Sequence, residues 1–301
     1  LFPSSKSQSP SLDSSLQVNR DGQGKALYSP SKTRIVATVR NRGNRIHAGR
    51  RLGNNVTADY GAHCRTLYMN INFDRRVDRR GTDSYKWDDN ERLFGRRDLL
   101  PFWVADMDFA TPTPILDAIR SRCEHPVLGY GIRSDSYFEA IEDWLKRRHH
   151  WDVPREWMMF CPPSSIVGIH GVISLLTEPG DSILVPVPTY GPLIGLVVDN
   201  QRCILECPVR EDNEGRFHLD IADMESRIED DTKMVVFCSP HNPVGRVFTR
   251  EELMALADFA ECHNLIVVSD EVHMDLVMPG HEHIPYGSIG GERSVTVISP
   301  Q

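Results

Sequence analysis

Between Asn264 and Asp275 the chain reads NLIVVSDEVHMD. An apolar, β-branched run from Leu265 to Val268 stops at Ser269, Asp270 and Glu271. That pattern fits a strand buried on both faces of a parallel sheet, with polar residues at its carboxyl end. In open α/β sheets ligands bind at that edge. Taken alone, Asp270 has two open readings: a cap for the following turn, or an acid that meets a ligand.

The preceding sequence repeats the pattern. Strands are expected at Ser182–Val187, Cys203–Cys207 and Lys233–Cys238, with a last one at Ser294–Ser299. Helical stretches separate them: Ser164 onward, through Ile166, Val167, Ile169, Ile173 and Leu176; the stretch after PTYGPL to about Val198; Leu219–Ile228; and one from Thr249, where Thr249 and Glu252 have capping-box spacing. Strands alternating with helices mean βαβ units and a mostly parallel sheet. No GxGxxG is present, so a dinucleotide fold is not favoured.

Upstream, Val77–Asp89 reads as a polar, extended segment anchored by Trp87. Leu99–Val104 is expected as a short strand and Thr113-Pro114 as a helix start. Ser134 opens an amphipathic helix with Phe138, Ile141, Trp144 and Leu145 inward, and Trp157–Phe160 leads to Pro162-Pro163, which ends any strand there. Residues 1–68 carry 11 Lys/Arg against 3 Asp/Glu, a charge of +8 in a chain whose net charge is −8, so the remainder holds −16. This basic leader reads as disordered, with Arg34–Val39 as its one candidate strand. It has no aromatic interleaving, so a nucleic-acid partner is not expected. Because Met69 directly precedes the first domain-like segment, the leader also reads as non-native sequence. No apolar run approaches the ~20 residues of a membrane span. Seven cysteines without a CxxC pair suit a cytoplasmic protein with reduced thiols. His281 and His283 form an HxH pair without an evident third ligand, so no metal is expected and both read as loop residues.

Two strands end in polar clusters, Cys238–Gly245 and Ser269–His273. If they are neighbours, Asn242 and Asp270 share one rim with Tyr190 and the helix start at Ser164–Ile166. An aromatic face, an amide, a carboxylate and an anion-binding helix terminus suit a flat, anionic, nitrogen-containing ring.

The motifs SPHNPVG, SDEVHMD, PGDSILVPVPTY and VADMDFATP resemble those of the fold-type I pyridoxal 5′-phosphate (PLP) enzymes, related to class I/II aminotransferases. VDRRGT, KWD and ADMDF resemble in particular the cystathionine β-lyase (MalY/PatB) group of C–S lyases. The resemblance runs from about Asn72 to Gln301. It implies an α/β fold: a three-layer α/β/α, mostly parallel sheet forming the PLP-binding large domain over 126–301, with 69–125 contributing to an incomplete small domain and to a dimer interface.

By the same resemblance, Asp270 pairs with the cofactor's ring nitrogen, Asn242 bonds the ring oxygen, and His273, standing where many relatives have Tyr, supports that oxygen. Tyr190 stacks on the ring. The backbone N–H groups of Ser165 and Ile166 hold the phosphate, although Ser-Ser stands where relatives often have Gly-Val. Tyr130 reaches the phosphate of the neighbouring subunit in a homodimer, and Ala105 and Asp106 lie near the carboxylate of a small amino-acid substrate. The implied activity is β-elimination from cystathionine or a cysteine S-conjugate. The alternatives are an aminotransferase and a non-catalytic binding or regulatory protein on the same scaffold.

Relatives carry a Schiff-base lysine after the strand equivalent to Ser294–Ser299. Here it is expected just after Gln301, so truncation, and inactivity of the chain as written, are the expectation. The six lysines are 6, 25, 32, 86, 146 and 233, and none stands at the required place.

Overall fold

The computed structural model describes residues 72–299. The leader over 1–68, with its candidate strand, lies outside the described residues, as do Pro300 and Gln301. The chain divides into two compact units, whose described parts are 72–133 and 134–299.

The 72–133 unit holds three helices: α1 (Tyr85–Asp88), α2 (Asn90–Phe94) and α3 (Thr113–Glu124). The segment expected to be extended is therefore partly helical. Ser84 caps α1 by accepting the Trp87 N–H, and Gly95 closes α2 in the left-handed conformation that glycine adopts without strain. Leu99–Val104 is not a strand; no neighbouring strand in this unit offers it a ladder. Pro at the start of α3 matches the expectation, but α3 buries none of its residues.

The 134–299 unit begins with α4 (Asp135–His149). Only Leu145 and His149 of α4 are buried, and Trp144 is 41% exposed rather than inward. Its indole N–H donates to Asp275 (3.0 Å), and that polar end keeps the ring at the surface. Trp157–Phe160 is likewise no strand; a single 3₁₀ turn over Arg155–Trp157 stands at its start.

Next come α5 (Ser165–Leu176), β1 (Ser182–Val187), α6 (Gly191–Asp199) and β2 (Cys203–Pro208). A two-stranded antiparallel hairpin follows, β3 (Arg210–Glu211) and β4 (Phe217–His218). The unit continues through α7 (Ile221–Arg227), β5 (Thr232–Cys238), α8 (Arg250–Cys262), β6 (Ile266–Asp270) and β7 (Ser294–Val297). The main sheet is parallel throughout, in the order β2-β1-β5-β6-β7.

Strand side chains alternate between faces, so each strand feeds two cores. Leu184, Val235, Phe237 and Val267 face one way and pack with Met224 of α7 and Leu253, Leu256 and Phe259 of α8. Ile183, Val185, Met234, Val236 and Val268 face the other way, onto Ile169 and Ile173 of α5 and Leu193, Leu196 and Val197 of α6. This is the three-layer α/β/α arrangement expected from the apolar runs. The helix α8 starts at the expected capping box: Thr249 Oγ1 accepts the Glu252 N–H, and Glu252 accepts the Thr249 N–H.

Candidate functional site

From β1 the chain turns outward to β2, whereas from β5 it turns the opposite way to β6. The strand order thus reverses between β1 and β5, which opens a crevice at their carboxyl ends. The loops after β1, β5 and β6 line that edge. His241 ties the first two together, with Nε2 2.9 Å from the Pro188 carbonyl and Nδ1 3.1 Å from the Cys238 carbonyl. Both carbonyls can only accept, so each contact calls on a ring N–H, while burial pushes the ring's proton affinity down. The Ser239 N–H donates to the Asp270 carbonyl (2.9 Å), which joins the β5 loop to the end of β6. The loop then folds back, with the Gly245 N–H on the His241 carbonyl (2.7 Å) and Gly245 at φ +69°.

Asn242 is therefore held on a closed loop beside Asp270, half-buried, its side-chain amide without a hydrogen-bond partner among the described residues. The end of this loop is clamped by Arg246, which pairs with Glu252 through two 2.7 Å contacts. Glu252 also meets His218 Nδ1 at 3.0 Å, and His218 Nε2 meets Asp212 at 2.7 Å. Asp212 first, then Glu252, hold the His218 imidazole above its usual titration range.

Asp270 lies in register with Cys238 on one side and Val297 on the other. By alternation it shares a face with Val268, the face covered by α5 and α6. It is 1% exposed. Its carboxylate accepts a single long hydrogen bond, 3.4 Å from the Val272 N–H, and no Lys, Arg or His among the described residues pairs with it. Burial, with the Glu271 charge as a lesser cause, pushes its pKa up to about 6. Buried carboxylates ordinarily find a cation or several donors; this one does not. Two nearby hydroxyls are in the same condition: Thr189 Oγ1, after β1, and Ser239 Oγ, after β5, are buried without partners.

Helix α5 leads into the amino end of β1, so its own N-terminus stands about 16 Å back along the strands, toward the carboxyl edge. Ser164 makes no side-chain cap there, and Ser165 and Ile166 are half-buried in the first turn. Their N–H groups are free to meet an anion. Tyr190 is the N-cap residue of α6, partly exposed at the end of the β1 loop. His273 sits half-buried on the turn after β6, its ring without a hydrogen bond among the described residues.

The structure thus gathers Asp270, Asn242, Tyr190, His273, Ser165 and Ile166 at one edge of one sheet. Ala105, Asp106 and Tyr130 belong to the other unit. There the Asp106 carboxylate is engaged by Arg79 (2.6 Å) and its carbonyl by Lys86 (2.6 Å). Asp108 accepts from Lys86 (2.7 Å), Trp87 Nε1 (2.7 Å) and Arg79 (3.0 Å), and the Lys86 bond first, then the Trp87 bond, hold its pKa down at about 2. The VDRRGT, KWD and ADMDF stretches are therefore one ionic cluster. Tyr130 is fully exposed. Lys233 is the second residue of β5, at the opposite sheet edge from Asp270, with its ammonium on the Asp230 carbonyl (3.0 Å).

Sequence reasoning passed over His241, Glu271 and His283. His283 lies in a loop, as expected, but it is buried, with Nε2 2.7 Å from Glu271. An isolated HxH gives no sign of a partner twelve residues away.

Residues 98–297 match the aminotransferase class I and II family. The chain belongs to that family. Cystathionine beta-lyase PatB of Bacillus subtilis strain 168 is 38% identical over 234 residues, covering 76% of this chain and 60% of the relative. Protein MalY of Escherichia coli K12 is 34% identical over 221 residues, covering 73% and 56%. Among solved structures, cystalysin of Treponema denticola, which contains pyridoxal 5′-phosphate, superposes with a TM-score of 0.72 at 30% identity, over 76% of this chain and 59% of cystalysin. The chain thus spans about three fifths of the length of the relatives it matches.

Proposed function

We propose that this chain holds pyridoxal 5′-phosphate at the carboxyl edge of its sheet. On this reading it is the cofactor-binding part of a carbon–sulfur β-lyase that converts cystathionine or a cysteine S-conjugate to a thiol, pyruvate and ammonia. The observation that carries the reading is Asp270, a buried carboxyl with no cationic partner among the described residues, in a chain similar to a PLP-bound C–S lyase from Staphylococcus hominis. When bound, the cofactor supplies an electron-accepting ring that labilises the substrate's Cα proton and lets the β-sulfur depart.

The chain's own residues set the conditions for that chemistry. Asp270, once ionised, keeps a proton on the ring nitrogen, which completes its missing ion pair. The Asn242 amide donates to the ring oxygen, with His273 in support. Tyr190 covers one ring face. The first-turn N–H groups of Ser165 and Ile166 hold the phosphate without a cation, using the helix terminus. Ala105 and Asp106 serve the substrate's carboxylate through backbone groups, since the Asp106 side chain is already engaged by Arg79. Tyr130 reaches a neighbouring subunit, so the working protein is a homodimer; the exposure of Tyr130, Ile132 and Phe102 supports an apolar partner for that unit. The free thiols of the six described cysteines suit a reducing cytoplasm, and no helix among the described residues is long and apolar enough to cross a membrane.

The test is a titration of the chain with pyridoxal 5′-phosphate, followed by quenching of tryptophan fluorescence, with Asp270→Asn alongside. Saturable binding that the substitution weakens is expected; equal binding by both chains overturns the site. For the reaction, the protein carrying this chain is given cystathionine, and thiol and pyruvate are measured. Amino transfer to a 2-oxo acid without thiol release would instead make it an aminotransferase.

A further inference from the structure

Glu271 has no part in the function proposed above, yet it is fully buried next to Asp270. Its backbone N–H donates to the Val297 carbonyl (2.8 Å), which extends the β6–β7 ladder by one residue. That extension turns its side chain to the sheet face opposite Asp270. There Oε1 accepts from the Ser269 hydroxyl (2.8 Å) and the Tyr286 N–H (2.8 Å), while Oε2 lies 2.7 Å from His283 Nε2. All three partners are themselves buried.

The other nitrogen of His283 decides the charge of this cluster. Nδ1 is sealed from water and has no partner. A proton on it would be a buried donor with nothing to donate to, which is costly. A ring proton on Nε2 serves Glu271, whose carboxylate thus meets three donors beside Asp270. No Lys or Arg among the described residues offsets it. Other titratable groups face the cluster. His149 of α4 packs edge-on against His283 at 5.7 Å and gives its own Nε2 to Asp275 at 2.8 Å. Cys238, across from Asp270 on β5, has its thiol pushed up to about 12 by burial, and the buried Tyr286 hydroxyl is raised by the same cause.

We propose that Glu271 is a positioning residue: a fixed charge, held by His283, Ser269 and Tyr286 on the far face of β6, that biases Asp270 and the ring nitrogen meeting it toward holding a proton. The ring-nitrogen half of this rests on the cofactor reading above; the Asp270 half does not, and it is tested without cofactor. Carboxyl ¹³C resonances of the ligand-free chain report the titration of Asp270 directly. In Glu271→Gln, which keeps shape and loses charge, the Asp270 midpoint is expected to fall by roughly one pH unit from its wild-type value. An unchanged midpoint overturns the proposal.

His283→Gln keeps an N–H donor toward Glu271 and is neutral, so its Asp270 midpoint is expected at the wild-type value. A clear rise would mean that His283 had carried a compensating charge, and would overturn the proposal even if Glu271→Gln failed to fold. With pyridoxal 5′-phosphate, Glu271→Gln should bind about tenfold more weakly at pH 8 and converge on wild type near pH 6, because the lost charge matters only where the ring nitrogen is losing its proton. Asp270→Asn should bind weakly at both. If Asp270→Asn binds normally, the cofactor reading fails, and the carboxyl titration alone judges Glu271.

Discussion

Replacing Asp270 by Asn should move stability and ligand affinity in opposite directions. The side chain is 1% exposed, and burial raises its pKa from 3.8 to about 6. In the unfolded chain the same group titrates at its ordinary value. Below pH ~4 it is protonated in both states and contributes nothing. As pH rises from there to 6 the unfolded state releases its proton first, so folding stability falls, by at most ~1.4 kcal/mol per pH unit. Above pH 6 the full cost is present, about 3 kcal/mol for a shift of roughly two units. Asparagine removes the ionisable group while keeping its shape. Ligand-free Asp270→Asn should therefore be more stable than wild type at pH 7 by up to about 3 kcal/mol, and equal to it near pH 4. Urea unfolding of both chains at pH 4, 5, 6, 7 and 8 measures the difference. If the variant is no more stable at pH 7, or if the difference fails to shrink toward pH 4, the carboxyl is not held as an unpaired buried charge, and the argument for a cationic ligand at β6 falls with it.

Other perturbations test the scaffold around the site. Glu252→Ala removes a capping box and the partner of Arg246, and should cost about 2 kcal/mol in urea unfolding while loosening the Asn242 loop, visible as faster amide exchange at Gly245. His218 titrates above its usual value because of Asp212 first and Glu252 second, so its contribution is complete below pH ~6.5 and is lost as pH rises through its raised folded value; Asp212→Asn should bring the imidazole midpoint down in an NMR titration. Gly290→Ala would drive a Cβ into the ring of the fully buried Tyr286, a clash that should cost about 1–3 kcal/mol in thermal or urea unfolding.

The central strands β1, β5 and β6 are legible because they are buried along most of their length and so appear as apolar runs between turn residues. The capping box at Thr249 and the helix start at Pro114 are local chemistry, and both stand where expected. Long-range pairing left no such trace. His149 and Asp275 are 126 positions apart, and nothing in either stretch announces the other. Trp144 was misplaced because hydrophobic periodicity counts indole as apolar, whereas its N–H draws it toward Asp275 at the surface. Leu99–Val104 has the residues of a strand but no neighbour to pair with, and propensity alone does not make one. At the candidate site the strand-end residues Asn242 and Asp270 could be read from position. Glu271 could not, since its importance depends on His283 and Tyr286 folding back over it.

Asp270 and Glu271 are consecutive acids on opposite faces of one strand end, and this makes the site sensitive to chain length as well as to residue identity. Deleting a single residue between Leu265 and Ser269 would keep both carboxylates and exchange the faces they occupy. Glu271, one methylene longer, would face the α5 side, and Asp270 would be left short of His283. The composition of that edge would be unchanged, yet neither acid would have the reach or the company its place requires.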